Sequence, residues 1–397
     1  MARFYVVSET SQERVPFLRG ILVQSLVAAG LGFEQAYSLS QFIRKEFGDA
    51  EEVTTSEIRS HVLRALELQY GLGIAENYAR GPQRDQQITV RDPSRETLFS
   101  VGLLSHKLQA CAISPRDAQN AAQRVMESLQ KGGITEISHR ELARVIYRVL
   151  GERCSMLAAN RYLSWQQFQA SGRPLILLIG GATGTGKSTV ATELAFVINV
   201  PRTQSTDLMR EIVRSYACDE AAAASLNYSS FEAWRGLPEA DPDAPESAAG
   251  AERVVAGFMA QFHAVRDGIK ATIHRALRER QDLILDGVHV IPTRLDMATM
   301  AQDALVVPVV LVVATRERLI RRFTERGQKQ PGRGGSRRYL RNLDAIWEIQ
   351  SFLVTEADGA GVPLIFSWTI EDSVYEILLE LARAVARDYP PDPAFLD

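Results

Sequence analysis

The stretch Gly180–Val190, reading GGATGTGKSTV, constrains this chain more than any other. An uninterrupted apolar run before it, Leu175–Ile179, predicts a buried strand, and Thr189–Val197 after it predicts a helix. Gly181, Gly186, Lys187 and Ser188 satisfy G-x-x-x-x-G-K-[ST], in which glycines let successive backbone N–H groups converge on phosphate oxygens. Lys187 adds a point charge near the β- and γ-phosphates, the Ser188 hydroxyl can ligate Mg²⁺, and the helix N-terminus faces the same anion. Gly181, Ala182, Thr183, Gly184, Thr185, Gly186, Lys187, Ser188 and Thr189 are therefore expected to hold ATP. The flanking strand and helix separate this motif from a chance glycine-rich turn.

A chain of 397 residues is too long for one ordinary core and predicts two or three domains. Its net charge of −3 argues against bulk binding to nucleic acid or membrane. Cys111, Cys154 and Cys218 fit neither a metal-ligand spacing nor a disulfide framework. The start, MARFYVVSETSQERV, lacks the apolar core of a signal peptide, and the longest apolar run, Ala304–Ala314, is far short of a membrane span. A cytoplasmic protein is the expectation.

Residues 1–90 open with a strand candidate, Phe4–Val7, followed by helical spacing, with Thr55, Ser56 and Glu57 as a helix start. Sliding the chain against itself by roughly eighty residues reveals a second, similar unit over 91–168. Phe17, Ile21, Leu22, Leu26 and Ala36 fall on Phe99, Leu103, Leu104, Leu108 and Ala118. After a two-residue insertion, Ile58, Val62, Leu66, Ala75 and Tyr78 fall on Leu142, Ile146, Leu150, Ala159 and Tyr162. Any two amphipathic bundles share such spacing, so duplication and coincidence both remain open here. Polar Ala79–Glu96, with Pro82 and Pro93, reads as a linker.

Residues 173–390 alternate strand-like and helix-like runs. Strands are expected at Leu175–Ile179, near Arg202–Ser205, and at Asp282–Asp286, Val306–Ala314 and Val362–Phe366. The fold class that follows is α/β, a parallel sheet of the P-loop NTPase type with helices on both faces, preceded by mostly helical domains. Leu237–Glu252, rich in Pro, Ala, Asp and Glu, reads as a surface insertion.

Asp286 ends an apolar strand about a hundred residues past the glycine loop, where a nucleotide site needs an acidic partner for its metal. His289 follows three residues on and is a candidate substrate contact. Asp207 opens a helix after the second strand, at the edge where open α/β sheets bind ligands; it can accept the proton of an attacking hydroxyl or simply cap its helix. Arg210, one turn later, can grip an anionic substrate. Arg316–Arg341 carries ten cations against Glu317 and Glu325, with glycines at 327, 332, 334 and 335. This predicts a lid closing on phosphates, with Arg318, Arg322, Arg337 and Arg338 as substrate ligands. A nucleic-acid patch competes, but the aromatic interleaving of single-stranded binding is nearly absent. Tyr228–Trp234 could wall a pocket or anchor a loop.

The blocks GGATGTGKST, STDLMREIVR, YSSFEAW, GFMAQFHAVRDGIKATIHRAL, LILDGVHVIP and RRYLRNLDAIWEIQSFLV, in this order, resemble the 2-phosphoglycerate kinase family over roughly 173–385. The resemblance implies transfer of the ATP γ-phosphoryl group to a small phosphorylated acid, giving 2,3-bisphosphoglycerate and ADP. With the motifs above, the scheme makes Lys187, Asp207 and Asp286 catalytic and Ser188 and Asp286 the Mg²⁺ pair, with no membrane partner and nucleic acid disfavoured. A phosphorylated polyol such as an inositol phosphate is the alternative acceptor, and a nucleotide-responsive regulatory protein the alternative class. The N-terminal unit is similar to the ATP-cone, with 91–168 as a degenerate copy. Where the ATP-cone has basic residues and Asp-Gly after its first strand, this chain has Ser8, Glu9 and Thr10, which leaves a structural or homo-oligomerising role open.

Overall fold

The computed structural model describes residues 5–7, 14–47, 50–80, 88–92, 95–217, 224–238, 241, 245, 249–329 and 335–396. Ser8, Glu9 and Thr10, Pro82 and Pro93, Cys218, Arg333 and much of the acidic insertion lie outside the described residues. The chain forms two compact units, one of Met1–Leu108, Ile113–Ala159 and Leu396–Asp397, the other of Gln109–Ala112 and Asn160–Phe395.

In the first unit, strands β1 (Tyr5–Val7) and β2 (Arg14–Pro16) form a hairpin, and helices α1 (Arg19–Ala28) and α2 (Phe33–Glu46) follow. Next come strand β3 (Glu52–Thr54) and helices α3 (Thr55–Tyr70) and α4 (Leu72–Arg80). β3 pairs parallel to β1, so the sheet order is β2-β1-β3. A matching set follows: β4 (Thr89–Asp92), β5 (Arg95–Leu98), α5 (Val101–Gln109), α6 (Pro115–Lys131), β6 (Glu136–Ser138), α7 (His139–Arg153) and α8 (Met156–Ser171). Its sheet order, β5-β4-β6, repeats the first. In each set the helix after the third strand starts with a capping box. Thr54 and Glu57 satisfy each other's backbone N–H at 3.2 and 2.8 Å, and Ser138 and Glu141 do so at 3.2 and 3.1 Å. The cap of the first of these helices thus lies one residue before the sequence expectation.

The second unit contains a five-stranded, all-parallel sheet in the order β11-β10-β7-β9-β8. Its elements run β7 (Leu175–Gly180), α9 (Lys187–Val197), β8 (Thr203–Ser205), α10 (Thr206–Tyr216), α11 (Ala251–Arg278), β9 (Leu283–Asp286), α12 (Met297–Asp303) and β10 (Leu305–Val312). Then come α13 (Arg316–Lys329), α14 (Gly335–Arg341), α15 (Leu343–Gly359), β11 (Leu364–Phe366) and α16 (Ile370–Asp388). β7 and β9 are buried throughout, which is why they read as continuous apolar runs rather than alternating ones. Ile176 and Leu178 pack with Val265, Ile269 and Ile273 of α11, while α9 and α16 pack together against the sheet. Helices therefore cover both faces, as the sequence predicts. Among the described residues no helix is long and apolar enough to cross a membrane.

Candidate active site

Strand register decides which residues meet. Ile179 of β7 pairs with Asp286 of β9, which pairs in turn with Ser205 of β8. The segments that leave these three strands, Gly181–Gly186, Gly287–His289 and Thr206–Asp207, therefore emerge together at the carboxyl edge of the sheet. This is where ligands bind in open parallel sheets.

The glycine loop turns into α9 at Gly186, whose φ of 94° is the left-handed conformation that a side chain would strain. Ser188 Oγ donates to Asp286 Oδ2 at 2.7 Å, joining the first turn of α9 to the end of β9 across 98 residues of sequence. Lys187 Nζ donates to the Ala182 carbonyl at 2.7 Å, so the ammonium lies over the loop. Burial pushes the Lys187 ammonium down to about 8, and the charges of Asp207 and Asp286 oppose that shift. Both carboxylates thus act on the same ammonium. Burial raises the Asp286 carboxyl, with the Ser188 hydrogen bond and Lys187 pulling the other way. A partly desolvated carboxylate paired with a hydroxyl is a donor set that suits a hard divalent cation. Asp207 is the second residue of α10, whose cap is Ser205: the Ser205 hydroxyl accepts from Asp207 N at 3.2 Å. The Asp207 residue is exposed, and its carboxylate is not committed to capping.

No family model matches the sequence. Curated relatives do match. A 2-phosphoglycerate kinase of Pyrococcus horikoshii is 34% identical over 287 residues, covering 72% of this chain and 90% of the relative. One of Pyrococcus furiosus is 31% identical over 299 residues, covering 74% and 93%. The chain belongs to the 2-phosphoglycerate kinase family. Among solved structures, a gluconokinase from Sinorhizobium meliloti 1021 aligns over 55% of this chain and 96% of its own, at 16% identity and a TM-score of 0.31.

In this member of the 2-phosphoglycerate kinase family several residues expected to contact substrate are otherwise engaged. His289 is fully buried: Nε2 lies 2.8 Å from Gln261 Oε1 and Nδ1 lies 3.2 Å from Thr206 Oγ1. Both ring nitrogens are thus turned to protein partners. Arg322 Nη1 donates to the carbonyls of Gly184 and Thr185 at 3.3 and 2.9 Å, and Nη2 to Ser367 Oγ at 3.0 Å. It clasps the back of the glycine loop. Arg318 stacks on Trp368, 4.4 Å from the ring centroid, and donates to the Trp368 carbonyl at 2.9 Å. Arg338 Nε donates to both Glu232 carboxylate oxygens at 3.0 and 3.1 Å. Arg210 donates to the Tyr228 carbonyl at 2.7 Å and to Glu211 at 2.6 Å. Arg337 in α14 is exposed.

The Tyr228–Trp234 segment is core rather than pocket wall from Ser230 onward. Phe231, Ala233 and Trp234 are buried, and Glu232 is the buried carboxylate that receives Arg338 and Asn342 Nδ2, the latter at 3.2 Å. Of Gln261 and Thr206, which hold His289, only Gln261 carries a signal in the sequence. It is a polar residue inside the apolar stripe Phe258, Phe262 and Val265 of α11.

Proposed function

We propose that the protein is an ATP- and Mg²⁺-dependent kinase that transfers the γ-phosphoryl group to 2-phosphoglycerate, forming 2,3-bisphosphoglycerate and ADP. The observation that most supports this reading is the Ser188–Asp286 hydrogen bond of 2.7 Å beside Lys187 and Asp207, in a chain whose relatives are named 2-phosphoglycerate kinases. Phosphoryl transfer asks little covalent chemistry of a protein and depends on positioning and charge neutralisation.

In the proposed reaction the acceptor hydroxyl oxygen bonds to the γ-phosphorus as the bond to the bridging oxygen breaks, and ADP leaves with that electron pair. Asp207 accepts the hydroxyl proton. Residues 181–189 bind the phosphates, with Lys187 moving its ammonium from the Ala182 carbonyl to the β- and γ-oxygens. A Mg²⁺ held by Ser188 and Asp286 would supply charge neutralisation at those oxygens. Arg337 and Arg338 are the lid arginines proposed to reach the acceptor, Arg338 by exchanging Glu232 for substrate. Arg210, held on Tyr228, fixes the acceptor side of the cleft.

Residues 1–90 and 91–168 are proposed as two ATP-cone-like repeats preceding a kinase domain of 173–390. The repeated strand order and the repeated capping box support this division. The function is tested by ADP release. Purified protein should release ADP only when both Mg²⁺ and 2-phosphoglycerate are present, and Lys187→Ala should abolish release while leaving the circular dichroism spectrum unchanged. Undiminished turnover in that variant refutes the reading.

A further inference from the structure

His289, Gln261 and Thr206 form a polar junction in which every group is fully buried, and its hydrogen positions follow from its partners. Gln261 Nε2 donates to the carbonyls of Ser225 and Tyr228 at 2.7 and 3.0 Å, so both amide hydrogens are spent and Oε1 must be the atom facing His289. An amide oxygen only accepts, so the His289 Nε2 at 2.8 Å carries the proton. In a neutral ring Nδ1 is then the acceptor, and Thr206 Oγ1 at 3.2 Å must donate to it. Burial supports the neutral ring, pushing the imidazole down to about 4.

The junction ties together the segments that carry Asp207, Asp286 and the carbonyl holding Arg210. His289 follows Asp286 and Gly287; a Cβ on Gly287 would lie 1.7 Å from Thr206 Oγ1, so the missing side chain is what lets Thr206 approach. Thr206 is the residue before Asp207 in the first turn of α10. Tyr228, whose carbonyl also accepts from Arg210 at 2.7 Å, lies on the other side. Four segments remote in sequence, around Thr206, Tyr228, Gln261 and His289, thus share one chain of hydrogen bonds.

We propose that His289 is a positioning residue, neutral and protonated on Nε2, that fixes Thr206 and thereby aims Asp207 at the acceptor hydroxyl. This rests on the reading of Asp207 as the base. A buried polar network satisfied at every member specifies a single geometry, and a displacement of about 1 Å at a reacting group can cost about 100-fold in rate.

The test uses the full-length protein with ¹⁵N-labelled histidine. The His289 signal, assigned by its loss in His289→Gln, should show the Nε2–H tautomer at neutral pH; an Nδ1–H tautomer or a protonated ring overturns the proposal. In parallel, Thr206→Val removes the donor at nearly constant shape. It should lower kcat by about 10- to 100-fold, with KM for ATP changed less than about threefold, while Thr206→Ser retains the wild-type kcat. A Thr206→Val enzyme with wild-type kcat overturns it as well. If that variant fails to fold, the tautomer of the wild-type ring decides. Failure of the kinase reading is seen separately, as absence of phosphorylated acceptor with wild-type protein, and leaves the tautomer measurable.

Discussion

Arg322 holds the carbonyl of Thr185 from behind, Nη1 to O at 2.9 Å, and the same guanidinium holds Ser367 beyond the end of β11. The phosphate loop is thus braced by a residue from the arginine-rich segment. Arg322→Ala should raise KM for ATP by about tenfold and lower stability by about 1.5–3 kcal/mol, the range for charge-assisted hydrogen bonds. Steady-state kinetics and urea unfolding read the two effects. An unchanged KM for ATP would mean that the clasp does not shape the loop.

Glu232 and Arg338 form the second such engagement. Removing the arginine leaves a buried carboxylate short of its partner, whereas removing both charges does not. Arg338→Ala should therefore cost more stability than the double variant Arg338→Ala with Glu232→Gln. Because the Arg338 side chain is 47% exposed, the single-variant loss is expected at about 1–3 kcal/mol rather than the full cost of a buried pair. A double-mutant cycle in urea measures it, and strict additivity would show that the two groups are uncoupled.

Lys187 gives a dependence on pH whose sign is fixed. Its ammonium, held at about 8 by burial, binds fewer protons in the folded chain than in the unfolded chain between pH 8 and its ordinary value of 10.5. Stability conferred by this group therefore rises with pH across that window. Lys187→Met should be more stable than wild type below pH 8, with the gap closing toward pH 10.5, as read by thermal melts across pH. ATP binding, which needs the charged form, should weaken in the free enzyme as pH rises past about 8, as read by calorimetry. A gap that widens with pH would contradict the shift.

Gly287→Ala places a methyl group 1.7 Å from Thr206 Oγ1. Overpacking of this kind typically costs about 1–3 kcal/mol. Loss of kcat together with a lowered melting temperature is expected, and a variant of wild-type stability would show that the two segments are not so closely held.

Much of the sheet was legible because β7, β9 and most of β10 are buried on both faces, and an apolar run as short and continuous as Leu175–Ile179 suits a strand covered on both sides better than an amphipathic helix. In the first unit β1 was legible within Phe4–Val7, but a three-residue strand such as β3 was not: Glu52–Thr54 buries only Val53, too little for alternation to register. The glycine loop, Lys187 and Ser188 stood out by spacing and flanking elements and Asp286 by its place at a strand end, and the fold brings Ser188 and Asp286 within 2.7 Å. The arginines were not, because composition reports a density of cations and not their partners. Arg318, Arg322 and Arg338 have the same charge whether they meet phosphate or, as here, Trp368, Thr185 and Glu232. His289 stood near Asp286 in sequence, yet only the fold brings Gln261 and Thr206 to its two nitrogens.

The central claim is phosphoryl transfer to 2-phosphoglycerate at the edge where Lys187, Ser188, Asp207 and Asp286 meet. Its most direct test is ³¹P NMR of wild-type protein incubated with ATP, Mg²⁺ and, in separate tubes, 2-phosphoglycerate, 3-phosphoglycerate and inositol phosphates. The account predicts 2,3-bisphosphoglycerate and stoichiometric ADP in the first tube. Product confined to the inositol phosphates, or ATP left intact throughout, would contradict it.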